Sequence, residues 1–438
     1  MELNELPSTQ LRLTGTLLSF QEEAVRFAID RKRVFIADDM GLGKFLRNGS
    51  KILTEDGWGE IEKLKIGDQV YGRDGKLHEI TGVYPQGKQL IYQIVFSDHT
   101  SIYAGLEHLW TARSNNDRKR NHPWRVLTTN SILDKICYAN GSPIWEIPLC
   151  EAIDYPTKEL LIPPYLMGVL LADGGLTNAG VTFVPGDSEV PEIVAGFLSP
   201  TYEIRKNADY GTSTRYSICP KKRQRHNPFS TYLYKEKLHI AGDKKFIPQT
   251  YLQGSINQRK QLLAGLLDSD GTVKKARVRY STGSIQLATN IVELVQSLGG
   301  LAVISETPER EKIRDGRINH ESVNYQISIR LPFNPFLKPT NRIKWRRSSK
   351  LIRNIVNVVY HGEVEATCIA VEGNEKLYIT ENFIVTHNTI EAIATVAETR
   401  AYPVLVLCPA SVKYNWRNEI NKWLPGRSAI VLNGLDAY

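Results

Sequence analysis

The chain contains the two halves of one nucleotide-binding motif, separated by residues 45–388. Residues 34–44 read VFIADDMGLGK, an apolar strand followed by a glycine-rich turn that ends in Lys44. A phosphate-binding loop requires Ser or Thr next, because that hydroxyl binds the Mg²⁺ of the nucleotide. Phe45 follows instead, and the missing helix, TIEAIATVAETR, begins only at Thr389. Joining Lys44 to Thr389 restores strand, loop and helix, so the intervening segment must leave before this site can form.

The joined flanks resemble the start of the Snf2 family of helicase-like DNA translocases. The joined sequence is LLSFQEEAV…DDMGLGKTIEAIA…VLVLCPASVKYNW, in which Asp38 replaces the first glycine of the general loop pattern. The resemblance implies that ATP and Mg²⁺ bind, after joining, to Gln21, Gly41, Gly43, Lys44 and Thr389. No DExx box follows in the sequence, so we expect helicase fragments that cannot hydrolyse ATP unaided.

The ends of the intervening segment carry groups suited to breaking and joining peptide bonds. His387 and Asn388 stand directly before Thr389. An Asn side-chain amide can attack its own backbone carbonyl and break the chain, while the preceding His polarises that carbonyl. The Thr389 hydroxyl can carry the upstream segment beforehand. A His-Asn-Thr tripeptide alone is more often a simple turn, but its place at the seam of a broken motif favours the chemical role.

Residues 45–388 resemble an intein, a segment that excises itself from a host protein. The resemblance covers a first block, with Gly49-Ser50 and Asp56-Gly57, and a second block, GLEHLW, that contains His108. It implies that His108 protonates or strains the scissile bond before Phe45. The usual Thr three residues before this His is Gly105 here, which removes one possible hydrogen-bond donor. Short alternating strands and turns fit the all-β horseshoe of Hint domains.

The first residue of the segment has no nucleophilic atom. Most inteins begin with Cys or Ser, so Phe45 means either that the splicing centre is inactive or that the nucleophile lies elsewhere. Cys368 stands where inteins usually carry Asp, Trp110 follows His108 by two residues, and Thr389 begins the downstream flank. This combination resembles the class 3 inteins, which lack an N-terminal nucleophile.

That resemblance implies a reaction order without a cofactor. The Cys368 thiolate attacks the carbonyl of Lys44, because a thiol ionises far more readily than a hydroxyl. The acyl group then passes to Thr389, and Asn388 cyclises to release the segment. Trp110 is expected to pack so that it positions the nucleophile.

A repeat inside the segment predicts a second activity. LMGVLLADGG at residues 166–175 and LAGLLDSDGT at 263–272 each read as an apolar helix that ends in Asp-Gly. Asp173 and Asp270 fall at equivalent places, where the helix dipole disfavours negative charge unless a cation is bound. Two core helices with ordinary Asp-Gly ends would be the simpler interpretation.

The repeat resembles the LAGLIDADG homing endonucleases, in which two such helices pack side by side. The resemblance implies that Asp173 and Asp270 bind Mg²⁺, that Lys245 of KKFIP is a catalytic lysine, and that one monomer cuts both strands of DNA. The expected partner is double-stranded DNA of the host gene without the insertion. The basic stretches 221–226 and 342–347 would contact phosphates, although charge runs are usually only solvated faces.

Composition sets wider limits. The 438 residues predict two or three domains, and 42% hydrophobic residues suffice for their cores. A net charge of +8 indicates either a polyanionic partner or simple solubility. No apolar run reaches about 20 residues and no signal pattern begins the sequence, so we expect a cytoplasmic protein without a membrane partner. Five cysteines without a CxxC pair suggest neither a disulfide framework nor a zinc site.

The predicted fold class is multidomain: an all-β Hint horseshoe splicing domain split by an α/β LAGLIDADG endonuclease domain, flanked by α/β P-loop helicase fragments. Its predicted boundaries are 1–44, 45–155, 156–347, 348–388 and 389–438. The alternative is a Snf2-type ATP-dependent translocase fragment with a splicing-inactive insertion. Only an intein would release residues 45–388, so the mass of the product distinguishes the two.

Overall fold

A computed structural model of the protein describes residues 45–387 without 177–179, 211–212, 223, 225, 241, 315–316, 349 and 373–374, and also Arg417 and Ile430. The roles predicted for Gln21, Gly41, Gly43, Lys44, Asn388 and Thr389 lie outside these described residues. In the described part, no helix has both the length and the apolar character needed to span a membrane.

The secondary structure alternates a strand-rich part, a mixed part and a second strand-rich part. The strands are β1 (Leu46–Arg47), β2 (Lys51–Thr54), β3 (Gly57–Glu60), β4 (Gln69–Tyr71), β5 (Leu77–Phe96), β6 (Ser101–Ala104), β7 (Leu109–Ser114), β8 (Arg125–Thr128), β9 (Trp145–Ile147), β10 (Thr182–Phe183), β11 (Tyr202–Tyr210), β12 (Ser213–Pro220), β13 (Thr272–Lys274), β14 (Arg277–Thr282), β15 (Leu301–Thr307), β16 (Arg310–Arg314), β17 (Arg317–Glu321), β18 (Asn324–Arg330), β19 (Arg353–Val371), β20 (Leu377–Thr380) and β21 (Ile384–His387). The α-helices are α1 (Asn115–Lys119), α2 (Thr129–Leu133), α3 (Pro164–Asp173), α4 (Glu189–Phe197), α5 (Pro228–Lys235), α6 (Gln249–Leu252), α7 (Ile256–Asp270), α8 (Ile285–Ser297) and α9 (Pro339–Lys344). Short 3-10 helices lie at Ile61–Lys63, Gly242–Lys244 and Glu381–Phe383.

A 12-stranded antiparallel sheet joins the first and last parts of this segment. Its order is β21-β20-β2-β4-β5-β6-β1-β19-β9-β7-β8, with β3 paired to β2. The long strands β5 and β19 pair from Phe96–Ile355 to Ile80–Val371 through four shifts of register. Such bulges bend a ribbon sharply, so the pair can curve around a core. The large sheet agrees with a β-rich splicing domain, while its horseshoe outline stays a prediction.

Both ends of the segment enter this sheet close to the residues predicted for splicing. Strand β1, directly after Phe45, pairs with β6 on one side and β19 on the other. Strand β21, which ends at His387, pairs with β20 and contacts β7. The strands that adjoin Phe45 and His387 therefore belong to one sheet, six places apart in its strand order.

The part between β9 and β19 packs two antiparallel sheets around helices α3 and α7. One sheet has the order β10-β12-β11 and the other β13-β14-β18-β15. Because neighbouring strands run antiparallel, the arrangement is α+β rather than the α/β type predicted from the sequence. Its apolar core is a single cluster that includes Leu166, Leu170, Leu263 and Leu267.

A buried arginine connects the two parts. Arg259 on α7 is fully buried, and its guanidinium donates to the carbonyls of Gly254, Ser297 and Ile153. It also lies 4.8 Å from the ring centroid of Tyr155. Burial lowers the pKa of Arg259 to about 10, which leaves the group charged at neutral pH. The segment that leads from the large sheet into the helices thus contacts this charged side chain through one hydrogen bond, at Ile153, and one ring contact, at Tyr155.

Candidate splicing centre and candidate nuclease site

The predicted nucleophile lies beside the upstream junction. In the pairing of β1 with β19, Leu46 faces Thr367 and Arg47 faces Ala366. One step further in this register places Phe45 opposite Cys368. Both side chains are buried in a small cluster with Ile91 and Ala366. The sheet therefore brings a thiol to the residue that follows the scissile bond, although the two positions are far apart in sequence.

The ring of Phe45 occupies space that a side chain at position 105 would need. A Cβ built on Gly105 would lie 2.5 Å from Phe45 Cε2 and 2.6 Å from Cζ. The Gly105 amide is 3.4 Å from the carbonyl oxygen of Phe45. An apolar first residue and a glycine at 105 therefore fit together, which gives a physical reason for the missing Thr in this block.

His108 and Trp110 form one buried group. Their ring centroids are 5.0 Å apart, and both side chains are fully buried. The Trp110 indole donates to Thr129 Oγ1 at 3.0 Å, and the Thr129 amide donates to the His108 carbonyl at 2.9 Å. Trp110 thus packs against His108, whereas the cluster around Cys368 is formed by other residues. The predicted influence of Trp110 on the position of Cys368 would therefore act through His108.

A hydroxyl from the last strand binds His108. Nε2 of His108 is hydrogen-bonded to Thr386 Oγ1 on β21. Both residues are fully buried. Sequence reasoning missed Thr386, because a Thr in an apolar strand has the ordinary character of a β-former and nothing in the sequence pairs it with position 108.

The two acidic helix ends meet as predicted. Helix α3 ends at Asp173 and α7 at Asp270. Close contact is possible because a Cβ on Gly265 would overlap the Tyr165 carbonyl oxygen, and one on Gly168 would lie 2.7 Å from the Leu266 nitrogen. Glycines thus allow the two backbones to touch.

The electrostatics of this pair favour a cation. Burial, and then the negative charge of Asp270, raise the pKa of Asp173 to about 7. Lys245 Nζ donates to the carbonyls of Ala172 and Gly174 at 3.0 and 3.3 Å, beside this pair. Burial lowers the pKa of Lys245, so its charge is also disfavoured there. A cation between the carboxylates would relieve both the desolvation and the mutual repulsion.

The donor set fits a hard divalent ion. Carboxylate and carbonyl oxygens are the ligands that Mg²⁺ prefers, and it usually binds only one or two carboxylates and keeps waters. Among the described residues there is no cluster of three or more His, Cys, Asp or Glu side chains that could hold a metal ion. The pair at the helix ends therefore suits a Mg²⁺ site that DNA completes better than a closed structural metal site.

A basic face adjoins the acidic pair. Four cationic side chains are exposed on alternate positions of β13, β14 and β18: Lys274, Arg277, Arg279 and Arg330. The sequence prediction named the runs 221–226 and 342–347; all described residues of the first run and most of the second are exposed, and their contact with DNA stays a prediction. The alternation RVRYS in β14 was the available signal, because alternate residues of a strand share a face.

The carboxylate of Asp268, two residues before Asp270, has a structural role. It accepts hydrogen bonds from Tyr165 Oη and from the amides of Leu337 and Lys338. Burial raises the pKa of Asp268 to about 6. It fixes the start of α9 to the helix that carries Asp270, and is not part of the carboxylate pair.

Comparison with known proteins supports the nuclease assignment most directly. Residues 246–334 match the family described as homing endonuclease. The match includes Asp270 and the four-stranded sheet but not Asp173. The chain is thus multidomain, and this part of it, about a fifth of the residues, is similar to a family of enzymes.

A curated relative extends over most of the chain. The chain is 28% identical over 386 residues to the replicative DNA helicase DnaB of Mycobacterium intracellulare. This alignment covers 81% of this chain and 60% of that protein. The chain thus spans less than two thirds of its relative. Because the flanks 1–44 and 389–438 are far shorter than this alignment, most of the similarity must lie in residues 45–388.

Two solved structures are also similar. The gp41-1 intein is 20% identical, with 27% of this chain and 72% of that chain covered and a TM-score of 0.17. The homing endonuclease I-DmoI in complex with DNA and Mn is 15% identical. The similarity covers 38% of this chain and 88% of that chain, with a TM-score of 0.25. TM-scores this low carry no weight in the assignments that follow.

Proposed function

We propose that residues 45–388 are a class 3 intein that excises itself and joins Lys44 to Thr389. The observation that carries this proposal is the β1–β19 register, which brings Cys368 opposite Phe45. A splicing centre without a nucleophile at its first residue needs one from elsewhere, and a buried thiol beside the junction meets that need.

The reaction follows from the groups at hand. Cys368 Sγ bonds to the carbonyl carbon of Lys44, the bond to the Phe45 nitrogen breaks, and His108 gives a proton to that amine. Thr389 Oγ then takes the acyl group and returns the thiol. The Asn388 side-chain nitrogen attacks its own carbonyl, forms a succinimide and releases Thr389. The free amine of Thr389 finally attacks the ester carbonyl of Lys44, so the Thr389 oxygen leaves as a hydroxyl and a peptide bond forms.

Intact-mass measurement of the expressed chain tests this proposal. Cys368→Ala is expected to abolish both ligation and cleavage after Lys44, whereas Cys137→Ala, which removes a thiol outside the cluster, should splice normally. Phe45→Ala should retain much of the splicing. A Cys368→Ala chain that still releases residues 45–388 would refute the proposed nucleophile, and a splicing-inactive parent chain would favour a translocase fragment with an inert insertion.

We further propose that the inner domain is a LAGLIDADG-type endonuclease that cuts both strands of DNA carrying the uninterrupted host sequence. Asp173 and Asp270 would hold Mg²⁺, which supplies Lewis-acid activation for phosphodiester hydrolysis when bound. Lys245 would present positive charge to the scissile phosphate. The exposed basic face of β13, β14 and β18 would bind the DNA backbone. We propose that it acts as a monomer in the cytoplasm.

Purified protein incubated with both alleles and Mg²⁺, and again with EDTA, tests the nuclease. Asp173→Asn and Asp270→Asn should stop cleavage of the uninterrupted allele while splicing continues. Asp243→Asn, which alters an exposed carboxylate in a nearby turn, should cut normally. Equal cutting of both alleles would contradict the homing role, and cutting by both Asp variants would contradict the metal site.

The host is the remaining part of the proposal. Its flanking residues, with Lys44 and Thr389 joined, support a Snf2-type translocase whose loop binds ATP and Mg²⁺ only after excision. The DnaB relative does not decide the host, because its alignment lies mainly in the insertion. ATP binding by the spliced full-length host, and its absence in the Cys368→Ala precursor, would test this assignment.

A further inference from the structure

The bond between His108 and Thr386 joins the two junctions of the segment. His108 lies next to the loop that contacts Phe45, while Thr386 stands two residues before Asn388. The side chains meet through Nε2 and Oγ1, and both are fully buried. A hydroxyl buried in an apolar core is destabilising without a hydrogen-bond partner, so this contact determines where both side chains stay.

Two other positions among the described residues near His108 bear on the source of this hydroxyl. Position 105 is closest in sequence, but Phe45 fills the space that a Cβ there would need. Thr129, the other buried threonine of the group, uses its Oγ1 to accept from the Trp110 indole. Among the described contacts, the hydroxyl that is hydrogen-bonded to the His108 imidazole is therefore that of Thr386.

We infer that Thr386 is a positioning residue that holds the His108 ring for protonation of the Phe45 amine, and this rests on the proposed splicing function. A hydrogen bond at one ring nitrogen fixes the orientation of a histidine, and a Thr386 hydroxyl that donates to Nε2 leaves the ring proton on Nδ1. Because Nε2 is bound to Thr386, we assign Nδ1 to the leaving amine. Cleavage at the upstream junction therefore depends on β21, the strand that leads to the downstream junction.

The kinetic test isolates the first step. In a chain with both Thr389→Ala and Asn388→Ala, acyl transfer and release are blocked, so the branched thioester accumulates and hydroxylamine cleaves it after Lys44. Thr386→Val, which keeps the shape and removes the hydroxyl, should slow this cleavage about 10-fold or more and change its pH profile. Thr386→Ser should restore both the rate and the profile. Thr380→Val is the matched control, because Thr380 is also buried in the neighbouring strand but donates to the Ile384 carbonyl.

A second measurement does not depend on splicing. In the Cys368→Ala, Asn388→Ala chain, the ¹⁵N shifts of His108 should report one neutral tautomer. Thr386→Val should give a mixture of tautomers or a changed His108 titration, whereas Thr380→Val should not. Identical shifts and equal cleavage rates for the two valine variants would overturn the inference. A parent chain that never cleaves after Lys44 would refute the proposed splicing, while the ¹⁵N result would still decide the role of Thr386.

Discussion

Replacement of Gly265 by Ala tests the close approach of α3 and α7. A Cβ at this position would overlap the Tyr165 carbonyl oxygen and lie 3.0 Å from the Val169 nitrogen. Ordinary contact begins at 3.4 Å, so the helices must separate by more than about 1 Å, and a gap of about 0.5–1 Å already removes a quarter to a half of the contact energy. Because backbone lies on both sides, we expect the upper end of overpacking costs, about 3 kcal/mol.

The same displacement should reach the carboxylates at the helix ends. A shift of about 1 Å can reduce a catalytic rate about 100-fold. For Gly265→Ala we therefore expect a lower unfolding temperature by calorimetry in a splicing-blocked chain. We also expect DNA cleavage to be about 100-fold slower. Splicing in the otherwise unchanged chain should persist.

Gly196→Ala provides the matched control. Gly196 lies in helix α4, is exposed, and has no atom within 4 Å of a built Cβ. Ala there should stabilise the helix by about 0.5–1 kcal/mol. If Gly265→Ala and Gly196→Ala unfold at the same temperature and cut DNA equally, the proposed packing of the two catalytic helices is wrong.

Three further predictions concern the other sites. Gly105→Thr should impair upstream cleavage because its Cβ meets the Phe45 ring, and Phe45→Ala in the same chain should restore it, as measured by intact mass. Without a cation, stability should fall as pH rises from about 4 to 7, because the Asp173 pKa is raised to about 7 in the folded protein and the ionised form is the costly one. Asp173→Asn should remove the part of this slope near pH 7 and leave the part from Asp268, whose pKa is raised to about 6, and Mg²⁺ titrated calorimetrically should bind more tightly as pH rises through 7. Arg259→Met should cost about 3 kcal/mol or more, because the carbonyls of Gly254 and Ile153 lose their donor while that of Ser297 keeps the Ile153 amide, and should lower the calorimetric transition temperature.

The sequence was most informative where a motif occurs twice, as in the two Asp-Gly helices, or where a motif is interrupted, as at Lys44. The paired Asp-Gly helices placed Asp173 and Asp270 at two helix ends, and the structure confirms both ends. Lys245 was found by its short motif, and it lies beside the pair. These features are local, so a single stretch of residues contains the whole signal.

Long-range pairing explains what the sequence did not contain. The contact of Thr386 with His108 depends on β21 lying beside β7, and Arg259 reaches Ile153 only after the two parts of the fold have packed. No periodicity within either stretch specifies those neighbours. The α+β arrangement was missed for the same reason, because strand direction follows from which strands pair rather than from their composition.

Glycine has different consequences at the two sites, and this difference can be measured. At Gly105 the obstacle is the end of a side chain, Phe45, so a second substitution can relieve the crowding. At Gly168 and Gly265 the obstacle is the backbone of the opposite helix, which no side-chain substitution can shorten. Suppressors selected against Gly105→Thr should therefore appear at position 45, whereas Gly265→Ala should have no single side-chain suppressor within α3. A suppressor of Gly265→Ala that merely shortens a side chain on α3 would show that side chains, and not the two backbones, set the distance between the helices.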